Sequence, residues 1–159
     1  MSTRPNDRTT VAVPVARSAG VAKSMRGNRR KDTSPERGVR SALHRRGWRF
    51  RVDIRLSAGG RRPRPDVVFT RWRVAVFIDG CFWHVCPEHG SRPKTNTAYW
   101  GPKLDRNVER DALDQQALTA DGWRVVRIWE HVALVDAVAE IEAALHLAGA
   151  TSARSDLNP

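Results

Sequence analysis

Apolar and polar positions along this chain fall into blocks that read as seven elements behind a long polar leader. After some thirty residues with almost no large apolar side chain, Thr33-Ser34-Pro35-Glu36 sets a hydroxyl three residues ahead of a glutamate, with proline in the first turn. That arrangement predicts a capped helix running to about Arg46, with a narrow stripe of Val39, Ala42 and Leu43 and a stop at Gly47. Trp48 to Ile54 alternates well enough for a strand, and beyond the GGRRPRP loop at 59–65 come two β-rich runs, Asp66 to Thr70 and Arg73 to Asp79, spaced to form a hairpin. Leu104 to Asp121 reads as a helix ended by Gly122, Trp123 to Trp129 as a strand, and Ala133 to Leu147 as a terminal helix. The order α, β, β, β, α, β, α predicts an α/β domain with a mixed central sheet flanked by helices.

Composition adds a partner class to this picture. The 159 residues carry 28 Lys and Arg against 17 Asp and Glu, a formal charge of +11, and the excess lies in the first half: residues 1–65 hold 18 basic and 4 acidic groups. Such a balance points to a polyanion. The domain plan is therefore a basic arm at 1–33, expected to be disordered without a ligand, a catalytic-sized domain at 34–148 and a flexible tail at 149–159. VAVPVA at 11–16 is too short for a signal-peptide core, and no run approaches membrane-span length, so a soluble, cytoplasmic protein is expected.

Candidate chemistry begins with acids. Asp66 opens one hairpin strand and Asp79 closes the other; a turn centred on Trp72 and Arg73 sets them directly opposite, where like charges repel unless a cation such as Mg²⁺ lies between them. The alternative is that each merely ends a strand in solvent. Asp111 falls three residues after Val108 and seven after Leu104, on the expected apolar face, where it needs a partner. His84 is the obvious one, since a carboxylate on one imidazole nitrogen raises the basicity of the other, although a surface salt bridge of Asp111 to Arg110 or Lys103 on a rotated helix is the competing reading. Cys81, Cys86 and His89 (C-x4-C-x2-H), with His131 after the last strand, offer the four ligands of a structural zinc site, against unpaired buried thiols.

The runs FIDGCFWHVCPEH (77–89), NTAYW (96–100), KLDRNVERD (103–111) and GWRVVRIWEH (122–131), with RPRPD (62–66) and KSMRGNRRKDTSPE (23–36), resemble the very-short-patch-repair (Vsr) DNA mismatch endonucleases over about residues 23–135. The resemblance implies a restriction-endonuclease-like core with a structural zinc site and a basic N-terminal arm. It implies an enzyme that nicks DNA on the 5′ side of the mispaired T of a T:G mismatch left by 5-methylcytosine deamination, giving a 5′ phosphate and a 3′ hydroxyl. Carried over by position, Asp66 is the main Mg²⁺ ligand, Ile78 offers its backbone carbonyl, and His84 with Asp111 forms the base and its orienting acid. Glu36 joins the catalytic set near what are expected to be two Mg²⁺ ions, and one Zn²⁺ falls to Cys81, Cys86, His89 and His131.

Met25, Phe82 and Trp83 match apolar wedges inserted beside the mismatch, and Arg26, Arg29, Arg30 and Lys31 of the arm are expected on the DNA backbone. The implied partner is double-stranded DNA with a T:G mismatch, attacked by a monomer, with mismatch-repair accessory proteins as further partners and a nucleoid-associated location. Two positions depart from the pattern. Many relatives carry His where this chain has Asp79, so the metal role of Asp79 rests on the charge argument. The lysine usual in restriction-type nucleases, two residues beyond the second acid, is Cys81 here. Two rivals remain, a non-enzymatic zinc module that binds DNA and a nuclease that cuts both strands of matched duplex.

Overall fold

The computed structural model describes residues 32–90, 92–94 and 96–151. Among these, three helices and three strands follow one another as α1 (Ser34–Arg45), β1 (Val67–Phe69), β2 (Val74–Asp79), α2 (Thr97–Ala120), β3 (Arg124–Trp129) and α3 (Leu134–Leu147). No helix among the described residues is long and apolar enough to cross a membrane. The arm, with Met25, Arg26, Arg29, Arg30 and Lys31, lies outside the described residues apart from Asp32 and Thr33. At the other end the packed unit runs past the expected boundary at 148, because Ala150 is buried in the main core.

The cap at the start of α1 uses the residues its sequence suggests. Thr33 Oγ1 accepts from the Glu36 main-chain N–H at 3.5 Å and donates to Glu36 Oε1 at 2.9 Å, while Glu36 Oε2 accepts from the Asp32 N–H at 2.8 Å. The box thus closes one residue further back than the usual form, on Asp32 rather than on the N-cap itself. At the other end Gly47 takes φ +88°, a left-handed conformation that a β-carbon would disfavour, and the chain turns out of the helix there.

The sheet is mixed: β2 lies in the centre, antiparallel to β1 and parallel to β3, with α2 as the crossover between the parallel pair. One face, with Val67, Phe69, Val74, Val76, Val126 and Ile128, packs against Val39 and Leu43 of α1 and Val138, Ile141 and Leu145 of α3. The other face, with Val68, Ala75, Phe77 and Val125, packs against Leu118 of α2. Between α2 and the sheet, charged side chains enter where Arg127 of β3 meets Asp79 of β2.

Three sequence expectations change. Trp48 to Ile54 is not a strand: one antiparallel bridge, Arg51 with Val68, joins it to β1, and Asp53 at φ +61° breaks the extended run. A three-residue β1 offers too little edge for a longer ladder. The hairpin register is shifted by two, since Val67 faces Val76 and the Asp66 N–H donates to Val76 O at 2.9 Å, so Asp66 lies opposite Phe77 rather than Asp79. Trp72 explains the shift, because its ring stacks edge-on against Trp48 at 5.8 Å and draws the turn one residue earlier, to Thr70–Arg73, with Arg73 at φ +51°. Finally, α2 begins at Thr97, seven residues before Leu104, running through Gly101 and Pro102. Proline costs that turn a hydrogen bond, and the packing of Tyr99 and Trp100 in an aromatic cluster offsets it.

Candidate active site

His84 sits in the turn after β2, where the tight Gly80–Cys86 loop turns its ring back toward α2. Its Nδ1 is hydrogen-bonded to Asp111 Oδ2 and lies 3.6 Å from Asp79 Oδ1, so both neighbours of that nitrogen are carboxylates. Carboxylates only accept, which assigns the Nδ1 proton to this contact and leaves Nε2 as the atom able to take a proton. Burial alone would push the Asp111 carboxyl up, but the hydrogen bond and charge of His84, with Arg127 and Arg110 beside it, hold it below the usual carboxylate range. The inward stripe of α2 is Leu104, Asn107, Asp111, Asp114 and Leu118, with Asn107 donating to Trp83 O at 3.3 Å and Asp114 accepting from Arg61 at 2.5 Å. Val108, expected inward, is 43% exposed because the helix is rotated to aim its acids at the sheet.

Arg127 in the middle of β3 completes this cluster. Its Nε and Nη2 form a fork on the two oxygens of Asp79, each at 2.7 Å, and Nη2 lies 3.4 Å from Asp111 Oδ2. Burial works against the guanidinium charge, but the bonds to Asp79 and the charges of Asp79, Asp111 and Asp114 hold it above its ordinary value.

Asp66 occupies the neighbouring strand end. Its Oδ2 accepts from the Ile78 N–H at 2.7 Å, which ties the carboxylate to β2 one residue before Asp79. Burial is the main force on its pKa, pushing it up to about 6; the Ile78 bond and Arg40 pull the other way, and Glu36 and Asp79 add to the rise. Glu36 is itself buried, and Arg40 links the two acids by donating from Nη2 to Glu36 Oε2 at 3.2 Å and to the Asp66 carbonyl at 3.3 Å. Three acids converge here on partial cationic compensation.

Cys81, Cys86, His89 and His131 bring their ligand atoms within 4.8 Å of one another. Cys81 Sγ and Cys86 Sγ lie 3.1 and 3.7 Å from His131 Nδ1, and the cysteines form no disulfide. Burial and the neighbouring Cys86 and Glu130 push the Cys81 thiol up, so its sulfur remains protonated unless a cation takes the proton's place. Glu130 Oε1 accepts from the Cys81 N–H at 2.7 Å and pins the loop between this cluster and His84. On that loop Phe82 and Trp83 stack edge-to-face at 5.0 Å and both meet Trp100 of α2, at 5.5 and 5.9 Å. Lys103 Nζ lies 5.2–5.4 Å from the rings of Trp83, Tyr99 and Trp100.

The family model for the DNA mismatch endonuclease Vsr matches residues 14–88. The type II nicking enzyme V.NaeI of Lentzea aerocolonigenes is 55% identical over 134 residues, 84% of this chain and 81% of that protein. DNA mismatch endonuclease Vsr of Escherichia coli strain K12 is 38% identical over 110 residues, 69% of this chain and 68% of that protein. The chain belongs to the Vsr family of DNA mismatch endonucleases. It is accordingly a DNA endonuclease of the mismatch and nicking class. A further relative, the nicking enzyme V.XorIIP of Xanthomonas oryzae pv. oryzae, is 43% identical over 106 residues, 64% of this chain and 73% of that protein.

Within this Vsr-family fold, the residues expected from sequence gather in three adjoining groups: Asp66 with Ile78 and Glu36; His84 with Asp79 and Asp111; and the cysteine and histidine quartet. Phe82 and Trp83 lie between the last two, and Met25 is outside the described residues. Sequence reasoning missed Arg127, Arg40, Trp100 and Glu130. Arg127 had a signal, since a cation in the middle of the apolar strand WRVVRIW must find a buried partner.

Proposed function

We propose that the protein nicks one strand of duplex DNA on the 5′ side of the mispaired thymine in a T:G mismatch, as the first step of repairing deaminated 5-methylcytosine. The observation that carries this reading is the imidazole of His84, oriented by Asp111 and set in the turn directly after the strand that receives Asp66. The core is read as restriction-endonuclease-like, its hairpin and parallel crossover strand presenting acids at one edge of the sheet.

The donor sets fit the expected metals. Asp66, the Ile78 carbonyl and nearby Glu36 are hard oxygen donors around a buried acid that a cation would relieve, which suits Mg²⁺. Asp79 has both oxygens bound by Arg127 and joins that set only by giving up one of those bonds. The Cys86 sulfur-to-nitrogen spacing of 3.7 Å is close to the edge, about 3.6 Å, of a tetrahedron built on ordinary zinc bond lengths, and the 3.1 Å spacing of Cys81 would open by about 0.5 Å to reach it. When bound, Mg²⁺ supplies charge neutralisation at the scissile phosphate and at the leaving 3′ oxygen, and Zn²⁺ a cross-link between the His84 loop and the end of β3.

The chain's own residues supply the rest. His84 Nε2 takes the proton of the attacking water while Asp111 stabilises the imidazolium that forms, and the products are a 5′ phosphate and a 3′ hydroxyl. Phe82 and Trp83 enter the duplex beside the mispair, where unstacking costs less than at a matched step, and the basic arm adds salt-sensitive contacts to phosphates.

Relatives named as type II nicking enzymes, with no mismatch in the name, favour a second reading, nicking of duplex without a mispair. Strand-labelled T:G and matched T:A duplexes, incubated with and without magnesium, separate the two. The first reading requires magnesium-dependent cutting of the T-containing strand of T:G duplex alone; equal cutting of matched duplex would replace it with the second, and DNA retardation without any cutting would leave a binding module.

A further inference from the structure

Resting on the nicking reaction just described, we infer that Arg127 is a positioning residue for His84: it occupies Asp79 so that Asp111 alone holds the imidazole. The geometry sets the problem first. One Nδ1 proton faces two carboxylates, Asp111 in hydrogen-bond contact and Asp79 at 3.6 Å, and a free Asp79 would compete for it. A ring shared between two acceptors on different elements, β2 and α2, has two resting orientations, and only one of them aims Nε2 consistently.

Arg127 removes the competition. Its fork takes one N–H to each Asp79 oxygen at 2.7 Å, including the Oδ1 that lies nearest His84 Nδ1, which draws the carboxylate toward β3 and offsets its charge. The same guanidinium reaches the other acid, with Nη2 at 3.4 Å from Asp111 Oδ2 and Nη1 at 3.5 Å from the Asp111 main-chain oxygen, so one cation spaces both carboxylates. Its own place is set by strand pairing, because Arg127 is the register partner of Phe77 and its guanidinium lies over that ring at 5.0 Å. A cation whose only task was to bridge strands would need the Asp79 contact alone. The reach to Asp111 ties it to the histidine.

The test uses the full chain. Arg127→Ala is expected to lower the single-turnover nicking rate on T:G duplex about 10–100-fold, the range seen when an orienting partner is lost, with duplex affinity within twofold of wild type. Guanidinium ion at millimolar concentration should restore part of that rate. Arg127→Lys keeps the charge without the fork, is expected between the two, and serves if the alanine variant does not fold. Nitrogen-15 and proton NMR of the His84 ring, read without DNA, should show one set of Nδ1–H ring signals in wild type and doubled or exchange-broadened signals of the same tautomer, from two ring orientations, in either variant. Nicking within threefold of wild type, or an unchanged His84 spectrum in a folded variant, overturns the inference. A wild-type protein that leaves T:G duplex intact overturns the proposed substrate instead, and the NMR comparison then decides Arg127 by itself.

Discussion

Replacing Asp66 by Asn should stabilise the fold while abolishing nicking. The carboxyl rises from 3.8 to about 6 because burial, with Glu36 and Asp79 nearby, outweighs the Ile78 hydrogen bond and Arg40. Between those two pH values the folded protein holds a proton that the unfolded chain has released. Stability therefore falls as pH rises through that window, and above it the full cost of the buried charge is present. A gap of about two pH units corresponds to about 3 kcal/mol, an upper bound because the group is near a protein edge that water can reach. Asparagine keeps the shape, and its Oδ1 can still accept from the Ile78 N–H. Urea unfolding in magnesium-free buffer at pH 7.5 should show Asp66→Asn more stable by about 1–3 kcal/mol, with the difference closing toward pH 4. Magnesium should stabilise wild type and leave the variant unmoved. A variant no more stable than wild type at pH 7.5, or a difference that is constant from pH 4.5 to 8, would refute the claim that this acid is held against its solvation preference.

Asp111→Asn should reduce nicking by about 10²–10⁴-fold with duplex binding retained, measured by single-turnover cleavage beside a gel-shift titration. Cys86→Ser should lower the zinc content found by metal analysis from one per chain to a small fraction, with a lower melting temperature, since the quartet joins the loop after β2 to the residue after β3. Leu43→Ala, at a fully buried contact between α1 and the sheet, should cost about 2–5 kcal/mol in chemical denaturation without changing the nicking rate of the folded fraction.

Much of the local structure was legible. Thr33 and Glu36 announce the start of α1, Gly47 its end, and the β2 and β3 runs their strands, because capping, left-handed glycine and β-rich apolar runs are properties of a few adjacent residues. The cluster of two cysteines and two histidines could be named from residue types, and the pairing of His84 with Asp111 from the need of an inward acid for a partner. What escaped was whatever depended on a distant side chain. Trp48 to Ile54 has strand composition yet lacks a long partner edge, and Pro102 looks like a helix boundary until the aromatic rings of Tyr99 and Trp100 have something to pack against.

The amino-acid sequence by itself thus determined the six elements that do form among the described residues and their order, though not the absence of a strand at Trp48 to Ile54, and which chemical groups are available at the ends of β2 and β3. The tertiary structure decided how those groups face one another: the two-residue hairpin shift that brings Trp72 against the core, the rotation of α2 that turns Val108 outward beside Asp111, and the reach of Arg127 across to Asp79. The physical reason is range. Backbone preferences and periodicity act over a turn or a strand, whereas register and ion pairing minimise the exposure of large rings and the isolation of buried charge, and both depend on residues tens of positions apart.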